Sequence, residues 1–249
     1  MTDRRITLRA SDVAAIVGRN PYRPSNEVFD ELWQRHSPAT FTGQTRRERG
    51  ARALQASAPL AAFVAALAEP AAGDSDGAQR AFELAGRAAA PGDADALAHV
   101  RSAIYTAHGA RSEDATADAL AAAGARLQRD DAFHTLDVRT INKNQYVVVG
   151  RVDRIEATPD GPRLVEIKNR VNRLFNKVVG YENVQVQVYL QMLDLPRARL
   201  VEQHNGAIAS HDVPRDDALW CDEILPKLQA FCEGFDNMLC TTEYTEPHI

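Results

Sequence analysis

The stretch GRVDRIEATPDGPRLVEIKNR carries side chains whose types and spacing could do chemistry. Asp153 precedes a turn-forming Thr-Pro-Asp-Gly segment, and Glu166 and Lys168 follow that segment one residue apart. Residues two apart on a strand share a face, so Glu166 and Lys168 should project together while Val165 and Ile167 point into the core. A hairpin closed by the Thr-Pro-Asp-Gly turn would bring Asp153 beside them.

Two carboxylates and an ammonium in this arrangement suggest a divalent-metal site that cuts phosphodiesters. Neighbouring carboxylates raise one another's pKa, and Mg²⁺ or Mn²⁺ held between Asp153 and Glu166 would remove that conflict. The metal could polarise a phosphoryl oxygen and acidify a bound water, with the backbone carbonyl of Ile167 as a further ligand. Lys168 could position or deprotonate that water, or neutralise charge on phosphorus. Taken alone, the same residues also fit a solvated charged hairpin.

Further candidates lie on two segments that favour helices. Gln185 and Tyr189 are four residues apart, so on a helix they share a face and could reach a phosphate or the scissile nucleotide. Glu113 follows His108 on another helical segment and could join the acidic group directly or through water. Taken singly, Gln185 and Tyr189 also fit a core position, and Glu113 also fits a solvated helix face.

Basic residues suggest where a polyanion would lie. Arg170, Arg173 and Lys177 would form one basic edge beside the metal if their segment were helical, and such an edge suits DNA phosphates. Arg9 precedes Ser11, which could cap a helix whose N-terminus favours an anion such as a terminal DNA phosphate. A solvated basic tail is the alternative for this N-terminal group.

Composition excludes several classes of protein. The 249 residues are 45% hydrophobic and 25% charged, which is typical of a globular protein. No run of 18 apolar residues predicts a membrane span, and the charged N-terminus lacks a signal core, so an intracellular protein that is not secreted is expected. The three cysteines lack a CxxC pattern and indicate free thiols, and the histidines form no zinc-hydrolase cluster. The net charge of −5 still permits a local basic groove.

The order of elements predicts an α/β fold. Sequence patterns indicate two short helices over 10–36 that Ser11 and Ser25 could cap, Ala-rich helices and loops over 37–100, and a longer helix over 101–123. Strands are expected at AFHTLDVRTI, QYVVVGRVDRIEA and RLVEIKNRV. A helix over 179–194, a hairpin at Asn205-Gly206 and a final helix from Asp216 follow. We therefore expect one domain over 1–249, with a central sheet flanked by helices and an Ala-rich insertion at about 37–100.

Together these segments resemble a known family. The pattern Gly109-x3-Glu113, Asp153, Glu166-x-Lys168 and Gln185-x3-Tyr189 is similar to that of the PD-(D/E)xK nuclease superfamily. The segment LRASDVAAIVGRNPY resembles the opening helix and turn of the branch that holds phage lambda exonuclease and the YqaJ-like viral recombinases. Val152 stands in place of the family's proline, Asn169 follows the lysine where Cys or Thr is frequent, and Asp114 stands where a proline is usual.

The resemblance implies a restriction-endonuclease-like core and a Mg²⁺-dependent DNA exonuclease, acting 5′→3′ on duplex DNA in recombination or end processing. By residue, it implies that Glu113, Asp153 and Glu166 are metal ligands, that Lys168 is catalytic, that Gln185 holds the geometry and that Ser11 contacts phosphate. GRVDRI is closer to bacterial helicase–nucleases, in which a histidine binds metal, and His108 could fill that role.

Alternatives remain on the same core. An endonuclease or junction resolvase would use the same residues, whereas a DNA-binding protein that does not cut would have no need for Asp153, Glu166, Lys168 and Gln185 together. The resemblance also leaves open a single-strand annealing protein as a partner, and a homo-oligomer.

Overall fold

The strands form two β-sheets, and each sheet mixes parallel and antiparallel neighbours. A computed structural model describes residues 4–67 and 70–245, the last four by backbone alone. Within this part of the chain the strands are β1 Arg5–Arg9, β2 Leu127–Arg129, β3 His134–Ile141, β4 Asn144–Gly150, β5 Arg154–Thr158, β6 Gly161–Asn169, β7 Arg197–His204 and β8 Ala207–Pro214. The first sheet has the order β1-β4-β3, and the second has the order β2-β5-β6-β7-β8.

Helices pack against both sheets. They are α1 Val13–Ile16, α2 Ser25–His36, α3 Arg46–Ala56, α4 Ala58–Ala66, α5 Ser75–Ala88, α6 Ala94–Ala122, α7 Gly180–Leu193, α8 Asp217–Leu219 and α9 Leu225–Thr245. A 3₁₀ turn, Ala10–Asp12, precedes α1, and a π-helical turn, Trp220–Ile224, joins α8 to α9. No helix in the described ranges is both long enough and apolar enough to cross a membrane. The expected α/β fold is confirmed, with its β-structure divided into two sheets.

The largest apolar core joins the two sheets. It contains Leu8 and Val148 from the first sheet, Leu164 and Leu200 from the second, and Phe235 from α9. All five side chains are almost fully buried, so their removal from water stabilises both sheets at once. This shared core fixes the position of one sheet relative to the other.

The Ala-rich stretch folds as helices α3, α4 and α5 and the start of α6, around a second core that includes Leu60, Ala78 and Val100. Helix α3 begins with a capping box. The Thr45 side chain accepts a hydrogen bond from the Glu48 amide, and the Glu48 carboxylate accepts one from the Thr45 amide. Both amides are thereby satisfied where the helix provides no partner.

Helix α6 extends from this second core to the second sheet. Near its C-terminal end, Ala117 and Leu120 pack on Val165 and Ile167 of β6. Successive strand residues point to opposite faces, so Glu166, between those two, is turned away from α6 and toward α7. This packing positions the side chains that the sequence singles out.

Three local expectations are wrong. The strand expected over QYVVVGRVDRIEA is divided into β4 and β5, which belong to different sheets, and Asp153 lies in the break. Neither Ser11 nor Ser25 caps a helix with its side chain, because Ser11 lies inside the 3₁₀ turn and Ser25 is already the first residue of α2. Residues 170–179 form an irregular segment between β6 and α7, so no helix aligns the basic residues there.

Candidate active site

Asp153 and Glu166 face each other across neighbouring strands. Strands β5 and β6 pair in a register that matches Arg154 with Val165, and one further step sets Asp153 opposite Glu166. Asp153 Oδ2 accepts a hydrogen bond from the Ile167 amide at 2.7 Å, which fixes the carboxylate against the edge of β6. The Thr-Pro-Asp-Gly turn expected from the sequence closes this hairpin and so creates the facing pair.

The two carboxylates repel each other. Burial, followed by the charge of Glu166, raises the pKa of Asp153 to about 8, against the opposing effects of the Ile167 hydrogen bond and the charge of Lys168. Asp153 is therefore held in its protonated form at a pH where an exposed aspartate is ionised. A cation placed between the two carboxylates would reverse this preference.

Oxygen atoms at this point fit a hard divalent cation. Glu166 is 3% exposed, and its Oε2 is buried without a hydrogen-bond partner among the described residues. The amide and carbonyl of one strand residue point to the same side, so the Ile167 carbonyl faces the Asp153 side of β6. Two carboxylates and a carbonyl match the ligands that Mg²⁺ and Mn²⁺ take. Over residues 4–67 and 70–245, no three His, Cys, Asp or Glu side chains converge on one metal position.

Lys168 lies beside the pair and is held from two sides. Its Nζ donates to Glu166 Oε1 at 2.8 Å and to Gln185 Oε1 at 3.2 Å. Burial lowers the pKa of Lys168, but the charge and hydrogen bond of Glu166 and the charge of Asp153 outweigh it, so the net shift is upward. The Lys168 side chain is 22% exposed, so it is partly accessible from solvent.

Tyr189 completes this row of hydrogen bonds. Its hydroxyl accepts a hydrogen bond from Gln185 Nε2 at 3.3 Å, and burial raises its pKa to about 12. The Tyr189 ring fits against Gly150 so closely that a Cβ at residue 150 would lie 2.6 Å from Tyr189 Cε1. Gly150 is thus a positioning residue that the sequence reading missed, although a glycine at a strand end is a signal of close approach.

The structure does not bring Glu113 and His108 to the facing pair. Glu113 accepts a hydrogen bond from Arg154 at 2.6 Å, although its charge still contributes to the raised pKa of Asp153. His108 is fully buried on α6, where its Nε2 lies 3.4 Å from Ser75 Oγ. Glu113 therefore borders the site, whereas His108 packs against the start of α5.

Arg170 is not the exposed DNA contact that the sequence suggests. Its guanidinium donates to both oxygens of Glu182, at 2.5 and 2.8 Å, and to Glu202 at 2.6 Å. It also stacks over the Phe175 ring at 4.1 Å, and its side chain is only 10% exposed. The two acidic partners therefore hold Arg170 in a largely buried ion-pair cluster, where little of its side chain faces solvent.

Arg173 and Lys177 are both exposed on the irregular segment after β6. Glu202 shapes that segment, because its Oε2 accepts hydrogen bonds from the amides of Phe175 and Asn176 at 2.8 and 3.0 Å. The segment begins just beyond Lys168 on β6. The two exposed cations therefore follow the strand of Lys168 closely in the chain, although they do not lie on one helix face.

A basic cleft borders Tyr189. Its volume is about 460 Å³, and its lining includes Arg9, Ser11, Arg35, Phe133, Arg151 and Tyr189. Ser11 and Arg9, singled out in the sequence, are thus brought next to the active-site tyrosine. The sequence analysis missed Arg35, Phe133 and Arg151, because they come from α2, from just before β3 and from just after β4, which only the folded chain brings to one cleft.

Comparison with known proteins gives a family match and several similar solved structures, among them two of one exonuclease. The sequence model of the PD-(D/E)XK nuclease superfamily matches residues 25–219. The crystal structure of LHK-Exo, an alkaline exonuclease from Laribacter hongkongensis, is 15% identical, with a TM-score of 0.53 over 96% of this chain and 92% of that one. LHK-Exo in complex with dAMP is 14% identical, with a TM-score of 0.50 over 97% and 94%. No protein with a curated description matches significantly.

Proposed function

Because the chain belongs to the PD-(D/E)XK nuclease superfamily, we propose that it is a Mg²⁺-dependent DNA exonuclease in recombination or DNA end processing. The observation that carries this proposal is the facing pair of Asp153 and Glu166, with Lys168 hydrogen-bonded beside it. Two carboxylates and an ammonium are residue types that metal-assisted phosphodiester hydrolysis uses. Among the described residues Glu166 Oε2 has no hydrogen-bond partner, and this favours a cation over a purely structural pair.

Asp153, Glu166 and the Ile167 carbonyl would hold the ion, and Glu113 could reach it if its contact with Arg154 were released. When bound, Mg²⁺ supplies a Lewis acid for the phosphoryl oxygen and lowers the pKa of a bound water; Mn²⁺ is the natural substitute.

Lys168 acts on the reacting groups as a hydrogen-bond donor and a positive charge. Its raised pKa favours the ammonium, so it orients the attacking water and offsets negative charge developing on phosphorus. Gln185 holds the ammonium, and Tyr189 holds Gln185. We therefore assign Lys168 to the chemistry, and Gln185 and Tyr189 to its geometry.

The surroundings favour a DNA end as substrate. The basic cleft beside Tyr189 offers Arg9, Ser11, Arg35 and Arg151 to a terminal phosphate, and Arg173 and Lys177 could follow the duplex on the other side. The similar alkaline exonuclease, solved also with dAMP, supports an exonuclease that releases nucleotides. By the family resemblance, we propose 5′→3′ digestion of duplex DNA.

The test uses linear and covalently closed circular duplex DNA, each incubated with Mg²⁺, with Mn²⁺ or with EDTA. The expected result is metal-dependent loss of the linear form alone. Lys168→Ala should slow that loss by about 10²-fold or more, the effect of removing a transition-state contact. Lys227→Ala is the matched control, because this lysine is half-exposed on α9 and pairs loosely with Glu223 at 3.8 Å. Duplexes labelled at either the 5′ or the 3′ end give the polarity.

Other outcomes select the alternatives. Nicking of the circle would indicate an endonuclease or junction resolvase built on the same residues. Binding of DNA without loss of either form, with both metals, would indicate a protein that grips DNA without cutting. Equal rates for Lys168→Ala and the parent protein would remove the assigned mechanism.

A further inference from the structure

An exposed aromatic ring borders the candidate active site. Tyr22 ends the Asn20-Pro21-Tyr22 turn after α1, and it is 70% exposed. Its backbone is anchored on both sides, because its amide donates to Asn20 Oδ1 at 2.9 Å and its carbonyl accepts from Arg46 at 2.8 Å. A large apolar ring is thus presented to solvent from a fixed backbone.

Tyr22 contacts the active-site face of α7. Its ring meets the ring of Tyr181 edge to face, with centroids 5.8 Å apart and planes at 82°. Tyr181 precedes Gln185 by four residues and Tyr189 by eight, so the three share one face of the helix. Burial raises the pKa of Tyr181, and the charge of Lys168 is near enough to act on it as well.

The distance from the ring to the catalytic ammonium is short. One helical turn, about 5.4 Å, separates Tyr181 from Gln185. Gln185 Oε1 in turn lies 3.2 Å from Lys168 Nζ. The Tyr22 ring therefore stands within the span of a few nucleotides, at about 3.4 Å per stacked base, from the phosphate that Lys168 would contact.

The charged groups of the turn are already paired within the protein. Arg19 pairs with Glu223, and Arg23 pairs with Asp12 and Glu31. The turn thus offers a π-face rather than a free cation, and this favours a base over a phosphate as its ligand. Bases inside a duplex are already stacked on both faces, whereas an unpaired base has a free face for the ring.

We propose that Tyr22, supported by Tyr181, stacks on an unpaired nucleobase of the strand that enters the active site. This inference rests on the proposed nuclease function and deepens it. The enzyme opens or accepts a frayed end, and the ring holds one base so that its neighbouring phosphate reaches Lys168. Because every base has a π-face, the contact tolerates any sequence.

The test measures binding rather than cutting, in the Lys168→Ala background with Mg²⁺. The probes are fluorescein-labelled duplexes with a short single-stranded end, each carrying one abasic nucleotide at a successive position, read by anisotropy. Abasic substitution at one or two positions should weaken binding by the parent about tenfold, the usual value of one base–aromatic stack. Tyr22→Ala should bind the intact probe about tenfold more weakly and lose that dependence on position, whereas Tyr22→Phe should behave as the parent.

Leu84→Ala, which removes a 46% exposed side chain on α5, is the control and should leave all affinities unchanged. If binding by Tyr22→Ala depended on the abasic position in the same way as binding by the parent, the proposed stacking on Tyr22 would be overturned. The nuclease proposal would remain intact if the wild type still degraded linear DNA. Failure of the parent to bind any probe would overturn the proposed stacking on Tyr22. Failure of the wild type to cut DNA would separately overturn the proposed nuclease function. Because Tyr22 is exposed, matching melting curves should confirm that each variant is folded.

Discussion

Replacing Glu202 with glutamine should destabilise the protein far more than replacing a surface glutamate. Glu202 is fully buried, and it accepts hydrogen bonds from Arg170 at 2.6 Å and from the amides of Phe175 and Asn176 at 2.8 and 3.0 Å. The amide of glutamine has one acceptor oxygen, so its NH₂ group must face either the guanidinium or the two backbone donors.

The magnitude follows from these contacts. Breaking a buried charge pair that holds further hydrogen bonds costs about 3–5 kcal/mol of the free energy of unfolding. For a chain of this size each kcal/mol lowers Tm by about 2–4 °C, so Glu202→Gln should melt about 6–20 °C below the wild type. The segment after β6 also loses the two hydrogen bonds from its amides to Glu202. The affinity for DNA should therefore fall, because Arg173 and Lys177 lie on that segment.

Thermal and urea unfolding followed by circular dichroism would measure this loss. Glu233→Gln is the control, because Glu233 pairs with Arg139 on the surface with 47% of its side chain exposed, and such pairs contribute less than about 1 kcal/mol. A double-mutant cycle with Arg170→Met should give a coupling above about 1 kcal/mol. If Glu202→Gln lost no more stability than Glu233→Gln, the buried cluster would not hold the segment as argued.

Two further substitutions test the site itself. The pKa of Asp153 is about 8 in the folded metal-free protein and exceeds its unfolded value. The free energy of unfolding that the protonated Asp153 contributes is therefore complete below about pH 4 and is lost as pH rises toward 8. Asp153→Asn keeps an acceptor for the Ile167 amide, so in EDTA its Tm should exceed that of the wild type increasingly between pH 5 and 9; parallel Tm–pH curves would contradict this. Gly150→Ala sets a methyl group 2.6 Å from Tyr189, so kcat should fall about 10- to 100-fold with little change in KM. In Gly180→Ala the new Cβ would meet no other described residue within 4 Å beyond its chain neighbours and its own helix backbone, so this variant should retain activity. Equal kcat in the two variants would remove the role of Tyr189.

Local sequence signals were sufficient to predict the hairpin that carries Asp153 and Glu166. The Thr-Pro-Asp-Gly turn and the alternation around Glu166 predict the β5–β6 hairpin and its facing residues, and the structure has both. The Asn205-Gly206 signal likewise predicts the hairpin of β7 and β8. Each of these features depends on residues close together in the chain, which is why the pattern alone is enough.

Long-range pairing could not be predicted in this way. β1 lies parallel to β4, more than a hundred residues later, and no local pattern specifies that partner. The sequence suggests that Arg170 is an exposed cation, because its partners Glu182 and Glu202 follow 12 and 32 residues later in the chain. The sequence does not give the partners that a basic side chain meets in the folded protein. The charge of Arg170 alone therefore could not distinguish a buried ion pair from a DNA contact.

Helix α6 contributes residues both to the Ala-rich core and to the core beneath β6. At one end Ala96, Val100 and Ile104 lie in the Ala-rich core, and at the other Ala117 and Leu120 support the strand that carries Glu166. Its 29 residues span about 43 Å as one rod. A movement of the Ala-rich helices would therefore be transmitted along α6 to the strand that carries Glu166.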